Sequence, residues 1–135
     1  MNIENLKASQ KTDQLFLVLA DDYDTSHATF YYYKKEEEWQ LVLETPALIG
    51  QRGMGEGKEG ARQTPIGEYT FGKLMGIAPD PGTKMDYHQI TEDDYWCGEQ
   101  YYNEFVDEKI MDHSHCTKEN DEHLIEYTKP YEYTA

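Results

Sequence analysis

Ile49-Gly-Gln-Arg-Gly-Met-Gly-Glu-Gly-Lys-Glu-Gly-Ala-Arg-Gln-Thr-Pro-Ile-Gly-Glu-Tyr-Thr-Phe71 decides how the chain is read. Gly53, Gly55, Gly57 and Gly60 stand among charged residues, and Thr64-Pro-Ile-Gly67 then opens an alternating run to Phe71. A segment with so little apolar side chain and so much backbone freedom cannot pack as a core element. It is expected as a surface-exposed loop that shapes a site and leads into a strand, with proline and glycine fixing where the strand begins. Gly55-Glu-Gly-Lys-Glu-Gly60 matches the letters of a dinucleotide fingerprint. That fingerprint needs a helix opening at its third glycine, so that the first-turn amides meet the pyrophosphate. Thr64-Pro65 and a β-type run follow here instead. A P-loop fails too, because Gly53 and Gly57-Lys58 are one residue too close and Glu59 stands where a Mg²⁺-binding hydroxyl is required.

Outward from this loop the chain reads as strands. Residues 1–13 are polar and read as a flexible arm. Leu15-Phe-Leu-Val-Leu-Ala20 is a continuous apolar run that predicts a buried strand, followed by turn chemistry in Asp21-Asp-Tyr-Asp-Thr-Ser26. Ala28-Thr-Phe-Tyr-Tyr-Tyr33 and Glu38-Trp-Gln-Leu-Val-Leu43 flank Lys34-Lys-Glu-Glu37, which predicts a β-hairpin with a charged tip. On the other side, Gly67-Glu-Tyr-Thr-Phe71 predicts a strand, Pro79 and Pro81-Gly82 mark an irregular loop, and Tyr87-His-Gln-Ile90 predicts a short strand. Asp93-Asp-Tyr-Trp-Cys97 and Tyr101-Tyr-Asn-Glu-Phe-Val106 have no clean period and read as aromatic-rich surface. Glu122-His-Leu-Ile-Glu-Tyr127 forms one more element, broken by Pro130 before Tyr131-Glu-Tyr133. The fold class is therefore mainly β with little helix, in one domain over 14–135.

Composition narrows the function classes. The apolar share of the 135 residues is 38%, twelve residues are tyrosine, and mean hydropathy is -0.89. Tyrosine suits strands and half-wet surfaces. The formal net charge is -15, from 27 acidic against 12 basic residues. Such a chain repels phosphate backbones and anionic lipid, so no nucleic-acid partner is expected. No apolar run reaches the roughly 20 residues that span a bilayer, so no membrane insertion is expected. No basic-then-apolar signal peptide is visible at Met1-Asn-Ile-Glu-Asn-Leu-Lys7.

Candidate chemistry is sparse. His113, His115, Cys116 and His123 carry zinc-type donors, but the spacing matches no common finger and three of them crowd into four residues. A polar loop with incidental histidines is the better reading, and no metal or cofactor is expected. Cys97 and Cys116 can pair as a disulfide in an oxidising compartment or stay as two thiols in a reducing one. As nucleophiles both are disfavoured, because acidic neighbours oppose thiolate formation. Acidic pairs such as Asp21/Asp22 and Asp93/Asp94 are frequent, as chance dictates among 27 acids. Sugar stacking on the aromatics remains open.

The order of the motifs is more specific than any one of them. Gln51-Arg-Gly-Met-Gly55, Lys58-Glu-Gly60 and Thr64-Pro-Ile-Gly-Glu-Tyr69 come first. Tyr87, Asp94-Tyr-Trp-Cys97 and Tyr102-Asn-Glu-Phe-Val106 follow, and Glu122-His-Leu124 and Tyr131-Glu-Tyr133 come last. This series resembles the L,D-transpeptidase (YkuD/ErfK-type) catalytic-domain family over roughly residues 14–133. The resemblance implies a β-sandwich or barrel with little helix, an extracytoplasmic location, and peptidoglycan stem peptides as partners. It also implies acyl transfer by a cysteine nucleophile with a histidine base and backbone amides as oxyanion donors. The family's C-terminal His…Ser/Thr-x-Gly-Cys motif has no match in these residues, so no catalytic residue carries over. The chain is expected to be the N-terminal part of such a domain, its C-terminal part missing, and inactive as it stands. Arg62, Thr64, Tyr87, Trp96, Asn103, Glu122 and His123 are the expected substrate-facing residues. A noncatalytic acidic module that binds wall glycan, wall peptide or a cationic partner is the alternative.

Overall fold

The computed structural model describes residues 2–98, 104–107, 122–128 and 133–134. The protein is mainly β with little helix, as the aromatic and β-branched runs predict. Its sheets are open, and among the described residues none closes into a barrel. The chain divides into two compact units, Met1–Tyr69 and Thr70–Ala135.

The first unit is an antiparallel meander of β1 (Gln14–Leu19), β2 (His27–Lys35) and β3 (Trp39–Leu48), in that spatial order. The predicted hairpin is β2–β3, with Glu36, Glu37 and Glu38 in its turn. The strands form because their aromatic and β-branched side chains meet across the ladder. Phe16 lies opposite Tyr32, and its ring sits 5.0 Å from Tyr32 and 5.3 Å from Phe30. The Tyr32 hydroxyl donates to Gln14 Oε1 at 2.9 Å. Tyr32 pairs with Leu43 and Tyr33 with Leu41, so Val42 is an extra residue in β3 and forms a bulge. Pro46 is tolerated because β3 is an edge strand, where a missing N–H breaks no second ladder.

Two sequence expectations are corrected here. Leu15–Ala20 does contain a strand, but it is not a buried one. Leu15 is buried, whereas Phe16 is 47% and Leu19 37% exposed. The reason is that β1 is an edge strand of one open meander, which does not cover both of its faces. Gly67–Phe71 forms no strand, despite its alternation. Alternation supplies no ladder partner, and the Tyr69 hydroxyl turns back to donate to the Ile66 carbonyl at 3.2 Å. Ahead of the meander, residues Ile3–Asn5 and Ala8–Gln10 make two 3-10 turns, the first capped by the Asn2 side chain.

The glycine loop follows the meander and contains no helix. β4 (Met54–Gly55) and β5 (Thr64–Pro65) pair in parallel, and the exposed residues 56–60 lie in the loop that joins them. Gly57, Gly60 and Arg62 adopt left-handed backbone, which turns the chain within this short connection. The loop is fastened to the β1–β2 connection, where the Met54 N–H donates to the Tyr23 carbonyl at 2.9 Å. Gly53 sits at this seam, buried, with φ 75°.

The second unit holds two small sheets. One has the order β11 (Tyr133–Thr134), β6 (Leu74–Gly76), β7 (Tyr87–Gln89), with β6 and β7 parallel. The other has the order β10 (Glu122–His123), β8 (Asp94–Cys97), β9 (Glu104–Asp107), all antiparallel. A short helix α1 (Leu124–Thr128) follows β10 directly. Asp94–Cys97 is thus a central strand rather than surface, with Asp94, Tyr95 and Cys97 all buried. Burial on both faces removes the polar/apolar alternation that a half-exposed strand would show. Ile90, Val106 and Leu124 complete the buried apolar set of this unit among the described residues.

Two alanine substitutions separate backbone strain from crowding. A Cβ at Gly53 would run into the Tyr23 carbonyl, whereas a Cβ at Gly60 meets nothing described within 4 Å. Both residues have a positive φ, 75° and 72°. Gly60→Ala is expected to cost about 1–2 kcal/mol in urea unfolding, the left-handed penalty alone. Gly53→Ala is expected to cost roughly 2 kcal/mol more, through overpacking. Equal losses would refute the seam at Tyr23.

Candidate functional site

Among the described residues the most deeply buried polar side chain is Asp94, which is fully buried in the second unit. It opens β8 from a tight turn in which the Asp94 N–H donates to the Thr91 carbonyl at 3.3 Å. Asp94 Oδ2 accepts from the Thr91 N–H at 2.6 Å and from the Thr91 hydroxyl at 3.3 Å. The same oxygen accepts from His88 Nε2 at 2.7 Å. Asp94 Oδ1 is buried and has no hydrogen-bond partner among the described residues. His88 comes from β7, and its ring makes an edge-type contact with Phe105 of β9 at a centroid distance of 4.9 Å. Phe105 and Asp107 alternate onto one face of β9, and Asp107 lies directly opposite Asp94. His88, Asp94 and Asp107 each offer a ligand atom, and these atoms lie within 4.8 Å of one another.

Behind this cluster the β8–β10 ladder sets His123 opposite Tyr95 and Glu122 opposite Trp96. The His123 ring stacks on Tyr95 with centroids 4.7 Å apart. Its Nε2 donates to the Glu92 carbonyl at 2.8 Å, and Nδ1 lies 3.7 Å from Glu126 Oε1 on α1. The imidazole therefore ties the 91–93 turn, β10 and α1 together.

The residues expected to face substrate separate into groups. Tyr87, Trp96, Glu122 and His123 belong to the second unit, and Arg62 and Thr64 to the first. Asn103 lies outside the described residues, as do His113, His115 and Cys116. Thr64 is a fastener, since its hydroxyl accepts from the Gly50 N–H at 2.8 Å. Tyr87 is another, its hydroxyl donating to the Ala78 carbonyl at 2.5 Å across the proline loop. Arg62 is exposed and donates from Nη1 to Gln51 Oε1 at 3.1 Å. Glu122 is exposed, and Trp96 is half-buried beside it on the ladder. Cys97 is fully buried and disulfide-bonded, so it offers no nucleophile. The chain's other cysteine is Cys116.

Sequence reasoning did not single out His88, Asp94 or Asp107 as a site. They come from three strands, and no local spacing links them. The readable signal was Thr91-Glu-Asp-Asp94, whose side-chain-to-backbone turn marks the last aspartate as an inward cap. Comparison of the chain with protein-family models, curated proteins and solved structures finds no match.

Truncation of the buried acceptor measures what it holds. Asp94→Ala removes the partner of His88 and leaves the Thr91 N–H without its side-chain acceptor, so it is expected to destabilise by about 3 kcal/mol. Asp94→Ser keeps an acceptor for the Thr91 N–H and is expected to recover about 1 kcal/mol of that loss. Urea unfolding of both variants checks this; indistinguishable losses would show that the turn bond is not what the carboxylate supplies.

Proposed function

We propose that the chain is a domain of L,D-transpeptidase type that recognises peptidoglycan stem peptides and has no transpeptidase activity within these 135 residues. The observation that carries the reading is the pairing of two motif segments remote in sequence. Asp94-Tyr-Trp-Cys97 is β8 and Glu122-His123 is β10, and the two are adjacent antiparallel strands with His123 stacked on Tyr95. Segments that the resemblance links only by their order along the chain thus share one ladder. On that ladder Glu122, which is exposed, and Trp96, which is half-buried, are cross-strand partners. An acidic and an aromatic residue paired across two strands suit the ammonium of a diamino acid, through charge and cation–π attraction. The net charge of -15 favours such a cationic group at longer range.

Acyl transfer needs a thiolate beside a base with oxyanion donors in place. Cys97 is in a disulfide, Cys116 has no Gly before it, and His123 spends its Nε2 proton on the Glu92 carbonyl. The acidity of the chain also supports a second reading, a noncatalytic acidic module with a cationic protein partner. Extracytoplasmic placement is part of the first reading, and a disulfide suits it. No helix among the described residues is long and apolar enough to cross a membrane.

Amide and indole NMR shifts on titration with a stem tetrapeptide test the proposal. Saturable shifts are expected at Trp96 and His123, weakened several-fold by Glu122→Gln and by salt. A thiol-reactive carbapenem is expected to leave the intact mass unchanged. Absence of shifts at millimolar peptide would reject recognition, and shifts with a lysine-rich peptide alone would select the second reading. A stoichiometric carbapenem adduct would reject the predicted inactivity.

A further inference from the structure

We propose that His88, Asp94 and Asp107 bind a divalent transition-metal ion of the zinc class. Three observations converge. The ligand atoms of the three residues lie within 4.8 Å of one another. Tetrahedral zinc with bonds of about 2.0–2.1 Å sets its ligands about 3.3 Å apart, so small side-chain adjustments close the set. Asp94 is also used unevenly. Its Oδ2 takes three donors, from His88, the Thr91 N–H and the Thr91 hydroxyl. Its Oδ1 is buried and takes none among the described residues. A cap for the turn needs only one oxygen, and a buried carboxylate oxygen without a partner is costly enough to require a cause. Finally, Asp94 and Asp107 lie directly opposite on β8 and β9. Like charges in that position repel, and a dication between them reverses the sign of the interaction.

The donor set selects the ion. An imidazole with carboxylates suits zinc, whereas calcium and magnesium take oxygen ligands in larger number. His88 coordinates through Nε2, with the ring proton on Nδ1. The His88 side chain is 23% exposed and gives the ion a route from solvent. Phe105 packs against the ring and fixes its orientation. This site does not depend on stem-peptide recognition, and either property can fail without the other.

Titration of the chelator-stripped full chain with Zn²⁺, followed by calorimetry, tests the proposal. One saturable site is expected, with Zn²⁺ bound more tightly than Ca²⁺ or Mg²⁺. His88→Gln and Asp107→Asn are each expected to weaken it at least about tenfold. The double variant His113→Gln/His115→Gln, which removes the competing histidine-rich segment, is expected to leave it intact. A measurement on the unmodified chain stands beside the variants in case they fail to fold: zinc is expected to shift the His88 imidazole nitrogens in a histidine-selective ¹⁵N spectrum. No saturable binding, loss of the site in the double variant, tighter Ca²⁺ than Zn²⁺, or shifts at other histidines with His88 unmoved would each overturn the proposal.

Discussion

Apolar side chain is scarce in this protein, and strand pairing carries much of what a larger core would otherwise do. In the first unit Leu15 is the buried hydrophobic residue among those described, and the aromatics of β1 and β2 interlock on partly exposed faces. Hydrogen-bond ladders are directional, so such a unit depends on register more than on volume. The bulge at Val42 and the left-handed backbone in the glycine loop are the local adjustments that keep neighbouring ladders in step.

The same scarcity gives polar groups unusual weight in the second unit. Its buried apolar set is small, and a fully buried carboxylate sits among it. Folded domains are stable by only about 5–15 kcal/mol, so the state of one buried charge is a sizeable part of the balance. Thr91, His88 and Asp107 are therefore better understood as the environment of Asp94 than as separate decorations. His123 acts likewise for the turn ahead of β8, holding its backbone at the Glu92 carbonyl.

Much of the fold was legible from local pattern. The hairpin around Lys34–Glu37 announced itself through two aromatic runs and a charged gap, and Tyr87–Gln89 through a short β-type run after a proline loop. The absence of a helix at Gly60 followed from Thr64-Pro65 and the β-type run after it. What was missed depended on partners. Gly67–Phe71 alternates as a strand does but joins no ladder among the described residues. Asp94–Cys97 lacks alternation because both of its faces are covered, and the acid at its start looked like solvent-facing charge. The cluster of His88, Asp94 and Asp107 was least legible, since it exists only once β7, β8 and β9 have come together.

The two units also differ in how far the chain must travel to close them. In the meander each strand pairs with the next one along, through connections of a few residues. In the second unit β8 reaches β10 past β9, and β6 pairs with β11 from the far end of the unit. Loop-closure entropy rises with that separation, and folding slows as contacts become less local. The consequence is an order of events. On topology alone the meander, whose contacts are local, is expected to close first. The second unit is expected to close only once its last strands are available to pair, and the burial of Asp94 is expected to come with that step.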